Sequence, residues 1–273
     1  MHLDDQGFVE IGAQRLEYRM IGPRPDAAPT LVLLHEGLGS AGLWGDFPDK
    51  VAAATGSGVF VYSRAGYGKS SPAVLPRPLT YMHDEAREVL PRLLAAIGFR
   101  RGLLVGHSDG GSIATIYAGS VQDHRVRGLV LIAPHFFTEA MGLASIAQAR
   151  ADYASSDLRE KLSRYHADVD NAFRGWNDAW LDPGFAGWNI TEDLAYIRVP
   201  ILIVQGEADQ YGTVAQIEVA REECYCPVEV ALLPGARHSP QRDAPEATLT
   251  AIADFANRIL RDHGEAAYSA HAA

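Results

Sequence analysis

The sequence predicts an α/β chain: a mostly parallel sheet of eight strands with helices on both faces. Short, continuous apolar runs recur along it, and amphipathic helical patterns lie between them. The alternation stops once. Residues 138–196 show no strand signal, and nearly sixty residues are too many for a simple strand-to-helix connection.

The elements follow in order. Polar and apolar residues alternate over 8–21, as in a hairpin with one wet face. The proline-rich stretch 22–29 is a surface connection. Residues 30–34 are apolar almost throughout, which fits a strand buried on both faces, and 58–62, 102–105, 128–132, 200–204 and 228–233 read the same way. Met82, Ala86, Leu90, Leu93 and Ile97 recur at helical spacing after Thr80, a candidate N-cap, and Pro91 predicts a kink. Leu249, Ile252, Ala256 and Ile259 form a last stripe, with Asp243 expected as its cap and Pro245 in its first turn. The small, polar residues 264–273 are expected to fray. The stretch 138–196 becomes an inserted helical subdomain, carrying Tyr153, Tyr165, Phe173, Trp176, Trp180 and Trp188, within a core of 1–137 and 197–273.

Composition bounds the function. The 273 residues are 47% apolar and 21% charged, which excludes a disordered, collagenous or coiled-coil chain. Lysine and arginine total 24 against 34 acidic residues, a net charge of −10 with no basic block. Nucleic acid and anionic membranes are therefore not expected partners. No run approaches the roughly 20 apolar residues that cross a bilayer. The acidic start Met1-His2-Leu3-Asp4-Asp5 lacks a signal-peptide pattern, so the expected location is the cytoplasm. Cys224 and Cys226, taken as i and i+2 on a strand, would point to opposite faces and strain a disulfide, so they are read as reduced thiols with no zinc set around them. His166, Asp168 and Asp170 look like metal ligands only superficially: their i, i+2, i+4 spacing puts the first and last on one helical face but the middle one elsewhere, and a solvated acidic helix is expected instead. Neither a metal nor a cofactor is expected.

The chemistry concentrates at Gly106-His107-Ser108-Asp109-Gly110, a Gly-x-Ser-x-Gly sequence between a buried strand and a helix. A sharp strand-to-helix turn there lifts the serine hydroxyl above the sheet, and the glycines permit the close approach this requires. The following helix N-terminus faces the place where negative charge would develop.

With these residues the chain resembles the lid-bearing, single-domain members of the α/β-hydrolase superfamily, over about residues 8 to 262. The resemblance implies a nucleophile, acid and base in the chain order Ser108, Asp209, His238. Asp209 follows strand 200–204, with Glu207 as a nearby rival; His238 follows the last strand. His238 would take the serine proton, and Asp209 would fix the imidazole tautomer. It also implies an oxyanion hole from the backbone N–H groups of Asp109 and of Gly37, in His35-Glu36-Gly37-Leu38-Gly39. Glu36 stands where the family commonly has glycine. It is expected to turn outward or to pair with an arginine such as Arg64; the alternative is that it orients a water or a polar substrate group. Residues 62–70 resemble the family's Asp-x-Arg-Gly-x-Gly-x-Ser loop, with Arg64 as a loop anchor. Trp176 and Trp180 share a helical face with Phe173 and either glue the insertion to the body or roof an apolar pocket. His135, with Phe136 and Phe137, would face the same cavity.

The expected activity is hydrolysis of a small carboxylic ester, thioester or lactone through an acyl-serine. A carbon–carbon hydrolase of vinylogous diketones is the alternative, and a non-hydrolytic binding protein or cofactor-free oxygenase is the reading from another class. Serine at the nucleophile position argues against dehalogenases and epoxide hydrolases. The expected partner is a small-molecule substrate, and a homodimer is left open.

Overall fold

The computed structural model describes residues 3–261, so the expected fraying of 264–273 lies outside the described residues. Its sheet has eight strands: β1 (Gln6–Ile11), β2 (Gln14–Ile21), β3 (Thr30–Leu34), β4 (Gly58–Tyr62), β5 (Gly102–His107), β6 (Val126–Ile132), β7 (Ile201–Gly206) and β8 (Val228–Leu233). They lie in the order β1-β2-β4-β3-β5-β6-β7-β8. β1 and β2 form the expected hairpin, β2 is antiparallel to β4, and every other pairing is parallel.

The continuous apolar runs have a simple cause. Leu31 and Leu33 point into one core layer while Val32 and Leu34 point into the other, and all four are fully buried. Helices α1 (Phe47–Thr55) and, at the end of the chain, Pro245–Leu260 cover the first layer. The second layer is covered by α2 (Tyr81–Asp84), α3 (Leu90–Ala96) and α4 (Asp109–Ser120). Between α2 and α3 the chain makes a π turn over Glu85–Val89. Pro91 has no N–H to close the preceding helical turn, so the break falls where the proline predicts it.

Four helices lie between β6 and β7: α5 (Ala140–Ser155), α6 (Leu158–Ser163), α7 (Val169–Trp180) and α8 (Thr191–Leu194). Asp168 caps α7 by accepting the Asn171 N–H at 2.9 Å. Phe173 of α7 stacks on Tyr153 of α5, with ring centroids 3.7 Å apart. The chain closes with α9 (Ala215–Glu223), α10 (Pro240–Asp243) and α11, the Pro245–Leu260 helix. Among the described residues no helix is long and apolar enough to cross a membrane.

Local readings needed correction in three places. Ala244, not Asp243, is the N-cap of α11. Pro240 starts a separate short helix that ends at Asp243, whose carboxylate accepts the Arg237 N–H instead. Thr80 sits at the N-cap of α2, but its hydroxyl donates to Asp84 rather than accepting an N–H. Cys224 and Cys226 are free thiols in the connection before β8 rather than on a strand.

Candidate active site

The candidate residues other than Trp176 and Trp180 follow the carboxyl ends of strands, where parallel α/β sheets open their crevices. Ser108 follows β5, Glu36 and Gly37 follow β3, His135 follows β6, Asp209 follows β7 and His238 follows β8.

Ser108 is the tight turn between β5 and α4. Its φ of 52° and ψ of −117° are a strained combination for a residue with a side chain. The turn exists because its flanks are glycine. A Cβ on Gly106 would strike the Gly110 carbonyl, and one on Gly110 would strike the Leu34 carbonyl.

His238 Nδ1 lies 2.9 Å from both carboxylate oxygens of Asp209. Asp209 is further fixed by three donors: Tyr211 N–H at 2.8 Å and Gly212 N–H at 3.4 Å on Oδ1, and the Gln205 amide at 2.7 Å on Oδ2. Burial pushes the Asp209 carboxyl up, but the hydrogen bond and charge of His238 outweigh it and hold it below the usual carboxylate range. The rival Glu207 is exposed. The His238 loop is also held from its main chain, because the His238 carbonyl accepts the His107 Nε2–H at 2.7 Å.

Ser108 and His238 border one cavity of about 100 Å³, together with Glu36, Gly37, Leu38, His135, Ile146, Trp176, Trp180 and Tyr211. Its lining contains no lysine or arginine. The predicted residues Glu36, His135, Trp176 and Trp180 therefore gather around the serine. Phe136 does not: it is fully buried in the core, and Phe137 pairs with Asn189 instead. Sequence reading missed Ile146 and Tyr211. No periodic signal marks Tyr211, which reaches the wall because it follows Asp209 by two residues in a tight turn.

His135 is buried beside other histidines, its ring 5.4 Å from that of His238. Burial, aided by the charge of His238, lowers its pKa to about 3, so its ring is neutral at neutral pH.

Arg64 anchors two loops, as expected. It is 1% exposed and donates to the carbonyls of His35 at 2.6 Å and Glu36 at 3.2 Å. Its N–H donates to His35 Nε2 at 3.1 Å, which leaves His35 Nδ1–H to donate to the Glu36 carbonyl at 2.6 Å. The Glu36 carboxylate corrects the outward reading. It turns inward, 3.4 Å from His107 Nδ1, and borders the cavity. Burial pushes this carboxyl up, yet the His107 hydrogen bond and nearby cationic groups hold it well below the usual range. A second cavity of about 800 Å³ shares the Glu36 wall and is lined by Lys50, Lys161, Arg164 and Arg242 among others. A further cavity of about 430 Å³ lies near Val126 and Pro200, at the opposite end of the strands from Ser108.

His166, Asp168 and Asp170 have separate tasks. His166 is buried, accepts the Gly68 N–H at 3.0 Å and donates to the Leu38 carbonyl at 3.0 Å. Asp170 pairs with Arg159 at 2.7 Å. Among the described residues no three metal-binding side chains cluster.

Comparison with known proteins bears on the fold and the family. A proline iminopeptidase of Lactobacillus delbrueckii subsp. bulgaricus is 31% identical over 124 residues, 45% of this chain and 42% of that protein. The matched stretch thus spans less than half of that relative. A proline iminopeptidase of Clostridioides difficile is 24% identical over 75% of this chain and 82% of its own. Among solved structures, an enol-lactonase from Burkholderia xenovorans superposes with a TM-score of 0.72 at 19% identity, covering 91% of this chain and 99% of its own. An esterase from Rhodococcus sp. gives 0.70 at 18% identity, covering 94% and 100%. A model of the alpha/beta hydrolase family matches residues 31–251, most of the chain. The chain therefore belongs to the alpha/beta hydrolase family.

Proposed function

We propose that this enzyme is a serine hydrolase that cleaves short-chain carboxylic esters, thioesters or lactones through an acyl-serine intermediate. The observation that carries the reading is the His238–Asp209 pair, 2.9 Å to both oxygens, whose histidine borders the same cavity as the strained Ser108 turn. In this reading Asp209 fixes the imidazole with its Nδ1 proton toward the carboxylate, so Nε2 is the nitrogen left to take the serine proton. The hydroxyl attacks the acyl carbon. The N–H of Asp109, at the start of α4, and that of Gly37, which has no acceptor among the described residues, receive the oxyanion. His238 then returns the proton to the leaving group, and water repeats the sequence to release the acid.

Cavity size sets the acyl group. A volume of 100 Å³ is about three waters' worth of liquid, room for an acetyl or butyryl chain against Trp176, Trp180 and Ile146. The absence of a cation from the lining disfavours the carbon–carbon hydrolase reading, whose dienoate carboxylate needs a polar or cationic clamp. One observation favours a second reading. Glu36 is the single carboxylate in the lining, and relatives named proline iminopeptidase raise the case of an acyl group that carries an ammonium.

The test is a panel of p-nitrophenyl acetate, butyrate and octanoate with prolyl p-nitroanilide, on wild type and Ser108→Ala. Acetate and butyrate should turn over fastest, and Ser108→Ala should lose roughly 10⁴-fold or more. A Ser108→Ala protein that keeps most of its turnover removes the serine from the mechanism. Prolyl p-nitroanilide cleaved faster than either short ester selects the second reading.

A further inference from the structure

Trp176 and Trp180 stand about one turn apart on α7, and each reaches a different candidate oxyanion donor. The Trp176 indole fills the space that a Cβ on Gly37 would occupy. The Trp180 indole N–H is shared between Asp109 Oδ1 at 3.1 Å and the Tyr81 hydroxyl oxygen at 3.0 Å. Tyr81 in turn donates its hydroxyl to Asp109 Oδ2 at 2.6 Å.

The two donor segments are also tied to each other. Arg64 Nη2 lies 3.7 Å from Asp109 Oδ2, and the same guanidinium donates to the carbonyls of His35 and Glu36. Each residue of this network is buried: Asp109 is 0%, Arg64 1% and Trp180 4% exposed. Both Asp109 side-chain oxygens are hydrogen-bonded, to Tyr81 and Trp180, and buried hydrogen bonds of this kind rigidify what they join, although the Arg64 Nε has no partner among the described residues. Nothing in the Ser108–His238–Asp209 arrangement requires the Asp109 side chain, whose expected contribution is its backbone N–H alone.

We propose that α7 is the positioning element of the oxyanion hole: Trp176 and Trp180 hold the N–H groups of residues 37 and 109 in register. A seated α7 and a competent hole are then one conformation, and lifting the helix dismantles the hole while leaving His238 and Asp209 in place. The inference rests on the serine-hydrolase reading. Its leverage comes from geometry, since oxyanion donors act at roughly 2.7–3.1 Å and a shift of about 1 Å can cost about 100-fold in rate.

Two experiments on the full-length enzyme test it, with p-nitrophenyl acetate as substrate. Trp180→Phe keeps a ring against His135, Phe185 and Trp188 but removes the N–H. It should lower kcat by about 10- to 100-fold and leave KM within about twofold, because the loss falls on the transition state. Gly37→Ala keeps the backbone donor but drives a Cβ into Trp176. Its kcat should fall about 100-fold, and Gly37→Ala with Trp176→Ala should recover at least about tenfold. A merely structural Trp180 would lower the melting temperature with kcat intact. A kcat for Trp180→Phe within twofold of wild type overturns the proposal, as does an additive Gly37/Trp176 cycle. If Gly37→Ala does not fold, the kcat and KM of Trp180→Phe decide alone. Ser108-dependent turnover alongside either negative result rejects only this inference. A wild type without Ser108-dependent turnover rejects the serine-hydrolase reading and this inference with it.

Discussion

His135 offers a prediction whose size follows from its surroundings. Its ring is buried against Trp180 and beside His238, and burial lowers its pKa to about 3. In the unfolded chain a histidine titrates near 6.5. The folded value is the lower one, so between those limits the unfolded state binds the proton and the folded state does not. The neutral ring's full stability is present above the unfolded value and is lost as the pH falls toward the folded one. Lowering the pH from 7.5 to 5 should therefore remove about 2 kcal/mol through this residue alone. His135→Phe keeps an aromatic ring and abolishes the titration. Urea unfolding of both proteins between pH 7.5 and 5 isolates the effect, because His35, His83 and His166, also lowered by burial, are common to both. The wild-type curve should steepen relative to the variant by about 2 kcal/mol across that range. Parallel curves would show that His135 titrates normally in the folded protein and would refute the argument.

Other outcomes follow from the same geometry. Asp209→Asn places an amide NH₂ among groups that already donate, Tyr211 N–H, Gly212 N–H and Gln205, and no longer fixes the His238 tautomer; kcat should fall roughly 10⁴-fold. Gly110→Ala drives a methyl group into the Leu34 carbonyl and should cost about 1–3 kcal/mol, read as a lower melting temperature. Gly187→Ala, where a Cβ meets open space, is the control and should melt with wild type. If Glu36 receives an ammonium, Glu36→Gln should raise KM for prolyl p-nitroanilide about tenfold or more and leave KM for p-nitrophenyl acetate unchanged.

How much the sequence disclosed depends on the kind of signal. Strands buried on both faces announce themselves, because every position from 30 to 34 must be compatible with one core layer or the other. The Ser108 turn was legible because glycine is required at 106 and 110 by backbone approach, a constraint local to the chain. The carboxylate of Glu36 was misread because its partner, His107, lies 71 positions away and only the fold brings them together. His166 was read as part of a solvated acidic helix for a similar reason: its bonds to Gly68 and Leu38 close across about a hundred residues. Asp109 was expected to act through its N–H, and nothing in its neighbours along the chain pointed to Tyr81 and Trp180 as partners for its carboxylate.

The bond from His107 to the carbonyl of His238 has a consequence for chemical complementation. That anchor uses the backbone, so deleting the imidazole in His238→Ala leaves the loop fastened to the residue preceding the serine. What remains is a ring-sized vacancy walled by Tyr211 and His135, with the Asp209 carboxylate at its back. Free imidazole supplied from solution has a berth of the right shape there, and the crippled enzyme should regain turnover in proportion to the imidazole added.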